Sequence, residues 1–177
     1  MNFSKTLLVT LTLASSICLT ACHQSDTKTA AAVAGPAVDS KVLEANKQLT
    51  RDYFQAFLKG DTAWMKAHIA PTFIRHDPGL DFEVKGPEGV AKLHDVLMPA
   101  FPNMVLPLED FVAEGDKVLV RLRVQGDQTG KFGDMAPSGK HVDIGVMDLF
   151  QIKDGVLVEH WALLDNFGML KQLGAIK

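Results

Sequence analysis

Cysteine is almost missing from this 177-residue chain, and the two present, Cys18 and Cys22, both precede residue 23. From His23 onward there is no thiol, so disulfide staples, thiolate nucleophiles and Cys-ligated metals are excluded there, whatever the compartment. A dominant charge of one sign is also lacking. The formal net charge is −3 and no Lys/Arg stripe alternates with aromatics, which argues against nucleic acid as a partner. Long apolar runs are absent too: the uncharged stretch from Thr6 to Leu19 falls short of the ~20 residues that span a bilayer core. His23, His68, His94 and His141 are scattered without the i, i+4 spacing of a helical zinc site, and no metal is expected. No internal repeat is visible.

What remains suits one folded domain. Apolar residues make up 47% and charged residues 22%, an ordinary globular balance, and the length allows one core. Lys5 followed by the Leu-, Val-, Thr- and Ala-rich segment to Leu19 has the form of a signal-peptide h-region. Leu19-Thr20-Ala21-Cys22 resembles the lipobox at which bacterial lipoproteins are cut and lipidated. The resemblance implies a signal peptide over 1–21 and lipid on Cys22, each buried CH₂ adding about 0.8 kcal/mol of membrane affinity. It also implies a protein of the bacterial cell envelope. His23 stands where an Asp would favour inner-membrane retention, which points to the outer membrane, facing the periplasm. A retained anchor helix, or secretory cleavage after Ala21 with a free Cys22, are the alternatives. Residues 22–40, polar and then Ala-rich with Gly35 and Pro36, read as a flexible tether, leaving 41–177 as the domain.

Within the domain, Leu49, Tyr53, Phe54, Phe57 and Leu58 recur every three or four residues, which predicts a helix from Val42 to Leu58 ended by Gly60. Asp61 can cap a second helix through Ile69, stopped by Pro71, and Gly86-Pro87 opens a third that carries Val90, Leu93, Val96 and Leu97 to Pro99. The period then changes to two. Strands are expected over Val105 to Ala113, Lys117 to Val124, His141 to Lys153 and Val156 to Leu164, with turns at Glu114-Gly115-Asp116 and Asp154-Gly155. A Gly-rich loop runs from Asp127 to Lys140, and Asn166 to Leu173 can form a closing helix. Helices followed by an antiparallel meander predict an α+β fold with helices on one sheet face.

Two acidic residues stand out. On the strand from His141, Val142, Ile144, Val146, Phe150 and Ile152 share a face with one charged residue, Asp148, which needs a hydrogen bond or a proton there. Strict alternation on the last strand puts Trp161, Leu163 and Asp165 on one face and His160, Ala162 and Leu164 on the other, unless a bulge reassigns them.

The stretches Phe73-Ile74-Arg75-His76-Asp77-Pro78, Gly86-Pro87-Glu88-Gly89, Ala100-Phe101-Pro102-Asn103, Glu114 to Val118, Gly145 to Phe150, and Glu159-His160-Trp161 through Asp165 to Gln172-Leu173-Gly174 together resemble the SnoaL-like polyketide cyclase (ester cyclase) family. The resemblance covers nearly all of 45–174. It implies a cone-shaped curved sheet of the nuclear-transport-factor-like kind, shared with ketosteroid isomerase, enclosing a small-molecule pocket. It further implies acid-base chemistry on a carbonyl compound with no cofactor. Asp165 is the position matching the family's catalytic Asp, although it is also placed to cap the helix from Asn166. His76 could donate a hydrogen bond to an enolate or anchor its turn. Asp148 could bind substrate or pair with an Arg such as Arg121, and His160 is expected on a sheet face or interface, near substrate. Trp161, Phe101, Met135 and Phe132 are candidate pocket walls.

One departure matters: where many relatives read Thr-His-Thr-Gly, this chain has Asp127-Gln128-Thr129-Gly130, and the Gln128 amide can hydrogen-bond but not exchange protons. The expected function is cyclase-, isomerase-, dehydratase- or hydrolase-type chemistry. A non-catalytic binding module for an apolar small molecule is the alternative, and a homodimer through the open sheet face is compatible with either.

Overall fold

The computed structural model describes residues 39–177. The signal peptide, Cys22 and nearly all of the tether lie outside the described residues. Among those residues, no helix is long and apolar enough to cross a membrane.

Helix α1 (Ser40–Lys59) starts where the Asp39 carboxylate accepts from the Lys41 N–H and ends at Gly60, which takes the left-handed conformation its lack of a Cβ permits. Its buried stripe is Asn46, Thr50, Tyr53, Phe54 and Phe57. Asp61 caps α2 (Thr62–His68) through the Trp64 N–H, as expected. This helix ends one residue early because Ile69 opens a strand, β1 (Ile69–His76), which the sequence analysis did not foresee. Pro71 falls in its irregular stretch, where the register with the neighbouring strand shifts between Ile69 and Ile74. A two-residue strand, β2 (Val84–Lys85), precedes α3 (Gly86–Ala100), whose last turn accommodates Pro99.

The remaining strands follow the two-residue period: β3 (Leu108–Glu114), β4 (Lys117–Asp127), β5 (His141–Lys153) and β6 (Val156–Leu164), then α4 (Asn166–Leu173). Val105, expected to begin β3, instead makes an isolated bridge to Gln125. Asp154 and Gly155 both have positive φ, 50° and 75°, as the tight turn between β5 and β6 requires. The six strands lie in the order β2-β1-β6-β5-β4-β3. The fold class is α+β, and the sheet is antiparallel except between β1 and β6, which run parallel. The expected meander is therefore a mixed sheet: a strand from the helical half joins its far side. The main core sits between sheet and helices, with Phe73, Val118, Val120, Leu122, Phe150 and Leu157 almost completely buried.

Candidate functional site

The buried face of the sheet and helices α1, α3 and α4 enclose a cavity with room for the centres of water-sized spheres over about 100 Å³. Most of its wall is apolar: Phe54 and Phe57 from α1, Leu93 and Leu97 from α3, Leu122, Val124, Ile144 and Val146 from the sheet, and Met169 from α4. Polar groups gather at one end, where Tyr53, Arg75, Asp77 and Asp148 line the cavity.

Strand pairing assembles this end. Arg75 on β1 is in register with His160 on β6, and Asp148 on β5 is opposite Ala162, which places His160 diagonally across from Asp148 on the same face. Between Asp148 and His160 the contact is 3.2 Å, from Oδ2 to Nε2. The Arg75 guanidinium lies 3.1 Å from His160 Nδ1 and 3.3 Å from its Nε2 through Nη1, while Nη2 and Nε donate to Asp77 Oδ2 at 2.8 and 3.2 Å. Asp77 is itself held by the Gly79 N–H on Oδ1. Since an arginine only donates, the imidazole is the acceptor in that contact, and its Nε2 faces Asp148 Oδ2. His160 is completely buried, stacked on Phe150 at 3.9 Å and edge-on to Tyr53.

Burial dominates the electrostatics. It pushes His160 down to about 4, against the opposing pull of the Asp148 charge, so the imidazole is neutral at ordinary pH. Burial likewise pushes the Tyr53 phenol up to about 12, so it remains a proton donor, although Arg75 pulls the other way. For Arg75, burial works against the charge, but Asp148, Tyr53 and Asp77 outweigh it and raise its pKa. One atom stands apart: Asp148 Oδ1 is buried and has no hydrogen-bond partner among the described residues. The cavity end thus presents a phenol donor, a guanidinium engaged by Asp77 and His160, and a carboxylate with one unpartnered oxygen.

Of the residues singled out in the sequence, Asp148, Phe101 and Phe132 line the cavity and His160 lies directly behind its polar end. Arg121 is not the partner of Asp148: it projects from the opposite sheet face and pairs with Glu109 and Asp110. Trp161 and Leu163 do not enclose the cavity. A bulge at Val158, where the register shifts between Gln151/Glu159 and Ile152/Leu157, reverses the alternation and turns His160, Ala162 and Leu164 inward.

Asp165 is exposed at the N-terminus of α4, its Oδ1 accepting from the Gly168 N–H at 2.7 Å, between the lining residues Leu164 and Asn166. His76 lies on the outer sheet face, stacked on Trp161 and bonded to Glu159 through Nε2 at 2.8 Å. Asp165 and His76 are therefore not brought together at the cavity. Gln128 is fully buried but serves its own loop, donating to the Gly130 and Ala136 carbonyls and accepting from the Ser138 N–H, while Met135 pairs with the Phe132 backbone. Three polar residues of the site were missed as such: Tyr53, Arg75 and Asp77. For Arg75 and Asp77 the available sign was the two-residue spacing Phe73, Arg75, Asp77, which continues a buried face with charged groups.

The fold and site define a cone-type α+β protein with a small-molecule cavity that is apolar along its walls and acid-base at one end. The profile of the SnoaL-like polyketide cyclase family matches residues 47–173. The chain belongs to that family, which binds small-molecule substrates and whose name points to chemistry of the cyclase type. Among solved structures, TsrD from Streptomyces laurentii is 28% identical with a TM-score of 0.66, covering 75% of this chain and 97% of that one. IdmH from Streptomyces antibioticus, a proposed polyketide cyclase, is 28% identical with a TM-score of 0.65, covering 73% of this chain and 98% of that one. A proposed SnoaL-like polyketide cyclase from Jannaschia sp. CCS1 shares the fold, with a TM-score of 0.71 and 24% identity over 80% of this chain and 100% of its own. No curated protein matches the chain.

Proposed function

We propose that this protein is a cofactor-independent acid-base catalyst acting on a small, largely apolar carbonyl compound, held at the bacterial outer membrane by lipid on Cys22. The observation that carries the chemistry is the unpartnered, buried Oδ1 of Asp148 at the polar end of an apolar cavity. Such an oxygen can take a proton from the carbon beside a carbonyl, while the Tyr53 hydroxyl stabilises the charge that develops on the carbonyl oxygen. The proton then returns from Asp148 to carbon or oxygen, which gives cyclisation, isomerisation or dehydration according to the substrate. Asp165, at the cavity rim, is the family-derived candidate for the same step.

The two carboxylates are separated by following α-deuterium wash-out from a panel of cyclic ketones, β-keto esters and aromatic polyketides. Asp148→Asn is expected to slow exchange by about 10²-fold or more. Asp165→Asn leaves the rate within severalfold, because Asn caps a helix as well as Asp does. The opposite pattern moves the base to the rim. Ligands that bind without any exchange make the protein a binding module.

Anchoring is tested by Cys22→Ala, which should abolish labelled palmitate incorporation and release the protein from the membrane fraction. The outer sheet face bears two exposed apolar pairs, Val112 with Leu119 and Met147 with Leu163, and these support a homodimer through that face.

A further inference from the structure

The cavity's charge can be counted from its polar end. Four ionisable side chains besides the phenol meet there: Arg75 from β1, Asp77 just after it, Asp148 from β5 and His160 from β6. Arg75 is not a free anion receptor. Its Nη2 and Nε are committed to Asp77 and its Nη1 to His160, so one carboxylate already balances its charge. His160, with the guanidinium against its ring nitrogens, lies 3.2 Å from Asp148 Oδ2 through Nε2 as a neutral ring and cancels nothing. Burial, which depresses its basicity, keeps it neutral. Counted formally, two carboxylates share one guanidinium, and Asp148 Oδ1 has no hydrogen-bond partner. Oδ2 lies against His160, and Oδ1 is the unpartnered oxygen.

We infer that the Asp77–Arg75–His160–Asp148 chain makes the cavity selective for uncharged or cationic apolar molecules that present a hydrogen-bond donor to Asp148, and excludes carboxylates and phosphates despite the buried arginine. This specificity rests on reading the cavity as the ligand site proposed above. A buried acceptor left unpaired costs its desolvation, so a ligand lacking the donor loses affinity even when its shape fits. An anion meets a like charge across a low-dielectric gap with no guanidinium free to offset it.

Three bicyclic probes of nearly the same shape separate the terms: indole, whose N–H only donates; N-methylindole, which has lost the donor; and indole-2-carboxylate, which adds an anion. By calorimetry or protein-observed NMR, indole should bind about tenfold more tightly than N-methylindole, the value of one hydrogen bond to a charged group. Indole-2-carboxylate should bind more weakly still. Asp148→Leu should abolish the preference for indole over N-methylindole. Asp148→Asn, which keeps the shape and removes the charge, should improve indole-2-carboxylate binding about tenfold or more, a gain that misfolding cannot produce. Equal affinity for indole and its N-methyl form, a carboxylate that binds the native protein as well as indole does, or no indole binding at millimolar concentration overturns the inference. These are equilibrium measurements. A failure of the acid-base reading would appear separately, as binding with the predicted selectivity but no α-proton exchange.

Discussion

Below neutral pH, His160 should act as a built-in destabiliser of the fold. Its ordinary pKa is 6.5, and burial among Tyr53, Arg75, Asp77 and Asp148 lowers it to about 4 in the folded protein. Between those values the unfolded chain binds the proton and the folded chain does not, so stability must fall as pH falls through that window and level off below it. At 1.36 kcal/mol per unit, the full loss is about 3 kcal/mol, of which about 2 kcal/mol is spent between pH 7 and pH 5. The assay is urea unfolding at pH 7, 6 and 5 for the native protein and for His160→Gln, which keeps an N–H toward Asp148 Oδ2 but does not titrate. The variant will differ in absolute stability because it loses the stack on Phe150, so the slope with pH is the readout. The native protein should lose about 2 kcal/mol more than the variant over this range. Parallel slopes would refute the claim that His160 is buried neutral, and with it the hydrogen-bond assignment that links Arg75 to Asp148.

Other expectations follow from the packing. A Cβ at Gly130 would sit 2.0 Å from the Pro99 carbonyl oxygen, so Gly130→Ala must push the 127–140 loop off the end of α3 and should cost about 1–3 kcal/mol, read as a lowered Tm. Gln128→Leu leaves two carbonyls and one N–H of that loop without partners, and a loss of about 1–3 kcal/mol with faster proteolysis within the loop is expected. Leu163 is 66% exposed on the outer sheet face, and Leu163→Glu should shift a dimer to monomer in sedimentation without lowering the Tm of the monomer. An unchanged sedimentation coefficient would remove that face from the assembly.

Much of the architecture was legible because local chemistry dictates it. Asp61 and Gly60 punctuate the first two helices, Asp154-Gly155 forces a tight turn, and the apolar alternation of β5 places Asp148 inward among Val146 and Phe150. None of these needs a distant partner. The family resemblance, spread over six short stretches, carried the cone and its cavity further than periodicity could.

The polar end of the cavity was a different matter. Arg75 reaches His160 only because β1, of which the sequence analysis assigned only Ile69, to the end of a helix, runs parallel to β6, and a pairing between segments 85 residues apart leaves no local trace. The face that His160 and Trp161 each occupy depends on one extra residue, Val158, in a strand that otherwise alternates. That bulge exchanges imidazole for indole at the cavity and leaves Asp165 to cap a helix at the rim. Sequence alone thus determined the elements and the inward carboxylate, since period and caps are properties of neighbouring residues. Only the tertiary structure decided which side chains meet that carboxylate, because strand register is set by the packing of the whole sheet.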